Sequence, residues 1–152
     1  MRRAFSHEIV IGRPLETAFP LFTPKGEEDW VPGWRPDYFA PEDGKTGKDM
    51  LFATGEGTER TWWTCLEWRP EEHRVRYLRL TPDSRAAFVS VSCRARDAQS
   101  TLVTVGYDIQ SLGPAGDAYI AAMSDDAFAA MIGEWPALIG RMARERGSAP
   151  TS

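Results

Sequence analysis

The sequence predicts an α+β protein in which an antiparallel β-meander is closed by one long amphipathic helix. Two observations carry this. Four consecutive runs, Thr58 to Arg69, Arg74 to Thr81, Arg85 to Arg96 and Thr101 to Gln110, are rich in β-branched and aromatic residues, and only short turn segments separate them. Links that short join antiparallel neighbours, because a parallel pair needs a crossover of a dozen residues or more. The β signal then stops, and Phe128, Met131, Ile132, Trp135, Leu138, Ile139 and Met142 recur at steps of three and four, the spacing of one buried helical face.

Composition sets the frame. The 152 residues fit one domain spanning 1–152. A chain of this size buries roughly two thirds of the surface its unfolded form exposes, so Cys65 and Cys93 are not needed as a disulfide framework. Hydrophobic residues at 42% and charged residues at 26% exclude a disordered chain. No apolar run approaches the ~18 residues of a membrane span, and no apolar stretch follows Arg2 and Arg3, so a cytoplasmic location is expected. A net charge of −4 provides no general attraction to nucleic acid. The arginines at 74, 76, 79 and 85, and at 141, 144 and 146, read as solvated faces.

In chain order, Phe5 to Gly12 is the first strand, with Ile9, Val10 and Ile11 as its β-branched centre. Pro14 suits the first turn of a short helix whose apolar face is Leu15, Ala18, Phe19 and Phe22, and Pro20 ends or bends it. A second short helix starts at Pro24 with Thr23 as its cap. Glu27, Glu28 and Asp29 lie near the positive end of its dipole, and Trp30 closes it. Prolines and glycines between Gly33 and Gly57 imply turns around short strands at Asp37 to Ala40 and Met50 to Thr54. A helical turn near Ala118 to Ala122 precedes the long helix, for which Ser124 is the cap. Pro136 kinks that helix near residue 132. The small, polar residues 147–152 form a frayed tail.

Alternation orients the strands. Val103, Val105, Tyr107 and Ile109 face inward, as do Ala87, Val89, Val91 and Cys93. Val75 and Tyr77 follow the same rule. Leu78 and Leu80 break it, which hints at a bulge after Tyr77 that would turn Arg79 to solvent; without the bulge Arg79 continues the inward phase. The run from Trp62 to Trp68 is apolar on both faces, so pattern alone does not orient it.

Particular residues stand out along this order of elements: Phe19-Pro20-Leu21-Phe22-Thr23-Pro24 through Trp30-Val31-Pro32-Gly33-Trp34, Thr61-Trp62-Trp63, Arg74-Val75-Arg76-Tyr77, Thr81-Pro82, Val103 to Tyr107 and Ala127 to Met131. Together and in this order they resemble the SRPBCC superfamily of START lipid-transfer proteins, Bet v 1 proteins and bacterial polyketide cyclases. The resemblance extends over nearly the whole chain. What it implies is a helix-grip fold: a seven-stranded curved antiparallel sheet, two short helices and a long C-terminal helix, with an apolar cavity between sheet and helix. In related proteins such cavities take lipids, polyketides or hormones. The superfamily shares no catalytic motif, and fold by itself does not define chemistry.

Six tryptophans lie in separate elements and converge only through the fold. The expected wall of a ligand cavity is Trp30, Trp34, Phe52, Trp63, Cys65, Tyr77, Arg79, Val89, Val91, Val105, Tyr107, Phe128, Met131, Ile132 and Trp135. Methionine and tryptophan supply adaptable walls of the kind such sites use. Polar candidates for chemistry are Glu67 and Asp108, with Arg60, Arg79 and Tyr107. Cys65 is expected to be a buried small residue rather than a nucleophile activated by His73. His7 and His73 are too few and too scattered for a metal site, so neither metal nor cofactor is expected. The expected function is binding or carriage of a small apolar ligand by a monomer or homodimer. The alternatives are a polyketide cyclase/dehydrase-type enzyme and a protein-interaction domain with a filled, vestigial cavity.

Overall fold

A computed structural model describes residues 1–147. Seven strands are seen among them: β1 (Arg2–Ile11), β2 (Asp37–Ala40), β3 (Leu51–Thr54), β4 (Thr61–Arg69), β5 (Arg74–Thr81), β6 (Arg85–Asp97) and β7 (Ser100–Ser111). They form one antiparallel sheet in the order β1-β7-β6-β5-β4-β3-β2. β4 to β7 are the expected meander. β1 returns to pair with β7, from Arg2 opposite Gln110 to Ile11 opposite Thr101.

Between β1 and β2 the chain makes α1 (Leu15–Ala18), a 3-10 turn over Phe19–Phe22, and α2 (Pro24–Glu27). Pro20 has no N–H to continue α1, which is why the chain tightens at that point. The Thr23 side chain accepts a hydrogen bond from the Gly26 N–H (3.0 Å) and caps α2. Phe19, Leu21 and Phe22 are buried.

After β7 come α3 (Pro114–Ala122), α4 (Asp125–Gly133) and α5 (Trp135–Gly147). The helical turn expected at 118–122 is in fact a full helix from Pro114. Proline pre-sets the backbone for a first turn, and a Gly-Pro-Ala-Gly string reads locally as a loop. Gly116 sits inside it because a Cβ there would collide with the Ser84 carbonyl. Gly116→Ala is therefore expected to lower unfolding free energy by about 1–3 kcal/mol in a urea titration. The expected kink near residue 132 is instead a break at Glu134: its N–H bonds back three residues to Met131 (3.3 Å), and α5 restarts at Trp135. This places Pro136 in a first turn, where no amide N–H is required. α4 and α5 together are the long C-terminal helix. Of the expected tail, Gly147 ends α5, and 148–152 lie outside the described residues.

The core lies between the concave sheet face and these helices. Its inward residues include Val89, Val91, Cys93, Val103, Val105 and Ile109, as alternation predicts. The bulge expected after Tyr77 is absent from β5, which pairs with β6 without interruption from Arg74 opposite Ser92 to Thr81 opposite Arg85. The irregularity is in β4, between Cys65 and Glu67. Leu78 and Leu80 therefore face the convex side, where Leu78 sits opposite Phe88 and Leu80 opposite Trp62. Such cross-strand apolar pairs stabilise an outer face and imitate a broken alternation. No helix among the described residues is long and apolar enough to cross a membrane.

Candidate functional site

A cavity of about 280 Å³ opens between the concave sheet, α2 with the segment following it, and the α4–α5 junction. The volume is near the lower end of small-molecule sites, which start at about 300 Å³. It is roughly twice the ~150 Å³ void that takes one benzene ring.

The sheet supplies floor and far wall. Val89 and Val91 come from β6, Tyr77 and Arg79 from β5, and Tyr107 from β7. Phe52 and Trp63, on β3 and β4, stack in parallel with centroids 5.4 Å apart. Trp34 meets Trp63 edge-on at 5.6 Å, and Trp30 meets Trp135 in the same way at 5.3 Å. Trp34 thus joins the segment after α2 to the sheet, and Trp30 joins it to Trp135 of the C-terminal helix, where Met131 and Leu138 complete the wall.

The indole N–H groups of the three leading tryptophans are all bound to protein: Trp30 to the Leu21 carbonyl (2.7 Å), Trp34 to the Pro24 carbonyl (2.9 Å) and Trp63 to the Thr54 hydroxyl (2.9 Å). Their polar edges are satisfied and their rings are left as apolar wall. Tyr77 likewise donates its hydroxyl to the Phe22 carbonyl (3.1 Å). Burial above all raises its phenol pKa well above the ordinary value, with Glu27 adding to the effect.

Four expected wall residues lie elsewhere. Cys65, Val105, Phe128 and Ile132 are fully buried in the core, away from the void. Phe128 is held by Phe5 (5.3 Å) and Tyr107 (5.0 Å). Cys65 donates to the Glu67 carbonyl (3.4 Å), whereas His73 contacts Glu16 (2.8 Å), so these two residues do not pair with each other. Burial pushes the thiols of Cys65 and Cys93 up to about 11 and about 12. Neither is a ready nucleophile. Both are expected to react with a thiol reagent such as dithionitrobenzoate only on unfolding, a difference read directly by absorbance.

The polar candidates separate sharply. Glu67 pairs with Arg69 (2.9 Å) and Arg74 (3.3 Å), Asp108 with Arg2 (2.7 Å), and Arg60 with Asp37 (2.8 Å). None of these reaches the cavity. Arg79 does. Its guanidinium lies 4.6 Å from the Tyr107 ring centroid and 5.6 Å from that of Trp63, and its Nη2 is buried with no hydrogen-bond partner. Burial raises the Tyr107 phenol pKa, while Arg79 acts in the other direction.

Glu27 and Glu134 also line the cavity. Burial drives the Glu27 carboxyl up to about 8, and the nearby Arg79 charge offsets only part of that. From its place in the sequence Glu27 reads as a dipole-facing carboxylate. Its spacing carried a usable signal: Pro24, Glu27 and Val31 fall on one helical face, together with the wall that Trp30 completes. Glu134 is likewise three residues from Met131 and four from Leu138, on an apolar stripe.

No family model matches the chain, and no curated protein matches it in sequence. Solved structures do resemble it. Norcoclaurine synthase from Thalictrum flavum superposes with a TM-score of 0.66 at 12% identity, over 95% of this chain and 88% of that one. Ara h 8.0201 gives 0.65 at 11% identity, over 98% and 100%. The chain has the Bet v 1-like, helix-grip fold. The Zhui aromatase/cyclase from Streptomyces is also similar, with a TM-score of 0.55 at 15% identity over 95% of this chain and 88% of that one. In this helix-grip protein the gripped helix is α4–α5, and the cavity lies beside its break at Glu134.

Proposed function

We propose that this protein binds a small, largely apolar ligand in the cavity between its sheet and C-terminal helix. The observation that carries the reading is an open void walled by four tryptophans, three of which have their indole N–H already bonded to protein. An interaction domain with a filled interior would not keep such a space. Two structural neighbours point the same way: norcoclaurine synthase has been solved in complex with dopamine and hydroxybenzaldehyde, and Zhui is an aromatase/cyclase.

Native mass spectrometry of the protein purified from its own host is expected to retain a small molecule. Independently, 2-ethylnaphthalene is expected to quench tryptophan emission saturably. Val89→Phe, which fills the floor, is expected to weaken that binding by about tenfold or more, equivalent to ~1.4 kcal/mol, with little change in the unfolding midpoint. Unsaturable quenching in the unaltered protein, or equal binding after the floor is filled, sinks the reading.

Glu27 and Arg79 in one cavity favour a second reading, an enzyme of the cyclase/dehydrase kind. Arg79 would hold a substrate carbonyl oxygen while Glu27 takes a proton from the adjacent carbon. Its test is exchange of the methyl hydrogens of 2-acetylnaphthalene in deuterated water. Exchange faster than buffer that vanishes in Glu27→Gln supports it, and exchange at the buffer rate removes it.

A further inference from the structure

We infer, given that the cavity is a binding site, that its ligand carries an anionic oxygen of the carboxylate kind and that Arg79 receives it. A guanidinium only donates hydrogen bonds, and a buried donor left unpaired is destabilising, the more so when it is charged. Arg79 Nη2 is such a donor. The neighbouring arginines are answered by carboxylates: Arg60 pairs with Asp37 (2.8 Å), and Arg85, although its Nε is also buried without a partner, pairs with Glu59 (2.9 Å). Among the described residues no carboxylate forms an ion pair with Arg79, although two, Glu27 and Glu134, line the same cavity.

The guanidinium carbon sits over the rings of Tyr107 and Trp63, which hold the group in place. What remains for a ligand is Nη2, a charged donor suited to a carboxylate oxygen. The rest of the wall is apolar, so the matching molecule is an amphipathic acid: one or two rings or a short bent chain with a single anionic head.

Glu27 determines when that head is welcome. The groups around it are Tyr77 and Arg79 on β5, Tyr107 on β7, Tyr38 on β2, Glu134 at the helix break, and Lys25 and Glu28 beside it in sequence. With its carboxyl pushed up to about 8, Glu27 is mostly protonated at neutral pH and leaves the Arg79 charge unanswered. Above that pH it ionises, competes for Arg79 and repels a ligand carboxylate. A free carboxylic acid ionises near ~4, so the ligand itself does not titrate in this range.

Three probes that differ only in the head group test this by tryptophan quenching: 2-naphthoate, 2-acetylnaphthalene and 2-ethylnaphthalene. At pH 6.5 the naphthoate is expected to bind about tenfold tighter than either neutral probe, and in Arg79→Met that ratio is expected to shrink to about twofold or less. Between pH 7 and pH 9 the unaltered protein should lose naphthoate affinity severalfold, whereas Glu27→Gln should hold it constant; this arm stands even if Arg79→Met does not fold. Equal binding of naphthoate and 2-ethylnaphthalene, tighter binding of the ketone, or a preference that survives in Arg79→Met overturns the anion assignment while leaving apolar binding intact. If none of the three binds, the cavity reading itself fails.

Discussion

Phe128→Ala is expected to lower the unfolding free energy by about 3–5 kcal/mol, the usual range for removing a buried phenylalanine ring. Phe128 is 1% exposed and packs between Phe5 of β1 and Tyr107 of β7. It is thus the point where α4 is fastened to the edge of the sheet, and alanine leaves a void that those two rings cannot both close. In a protein of this size the loss corresponds to a melting midpoint lower by roughly 6 to 20 °C. Phe39→Ala is the matched control: Phe39 is 46% exposed on the convex face and should change stability by less than about 1 kcal/mol. A Phe128→Ala midpoint indistinguishable from that control would mean that the helix is not fastened there.

The second large effect depends on pH. Glu27 has an ordinary value of 4.5 and a folded value of about 8, because the cavity wall strips water from its charged form. Between those values the folded protein holds a proton that the unfolded chain releases. The contribution to stability is therefore fully present below pH 4.5, falls as pH rises from 4.5 to about 8, and stays lost above. Because Glu27 keeps some exposure to the cavity, the loss is about 2–4 kcal/mol rather than the full value for a dry site. Glu27→Gln has no proton to release. Urea titrations at pH 5 should find the two proteins nearly equal, and at pH 9 the glutamine variant should be more stable by that amount. Parallel pH profiles would show that Glu27 is solvated like a surface residue, and the proton-dependent part of the anion site would fall with it.

The legible and illegible parts of this protein divide by how local their causes are. β6 and β7 follow strict alternation because one face is core and the other is wet, so their inward residues are visible in the sequence. β4 is not readable in this way: Trp63 faces the cavity while Trp62 lies on the convex face, stacked on Phe39 at 5.6 Å. Arg79 is obscured for a related reason, since Leu78 and Leu80 mimic a bulge by packing on Phe88 and Trp62 outside. Among the wall residues, the aromatic ones announce themselves by type. Glu27 and Glu134 do not, because a carboxylate in a helix normally faces water.

Legible from the residues alone are the meander, the order of strands and helices, the proline-marked helix boundary near Phe19 and the apolar stripe of the C-terminal helix. All of these follow from side-chain period and backbone chemistry within a few residues. Long-range packing instead sets the helix break at Glu134, the placing of Phe128 and Ile132 in the core while Met131 and Trp135 face a void, and the inward turn of Arg79 with its Nη2 unpaired. Those outcomes depend on which distant surfaces meet. Whether a charge is buried, and whether it finds a partner, is a property of the assembled neighbourhood rather than of the residue.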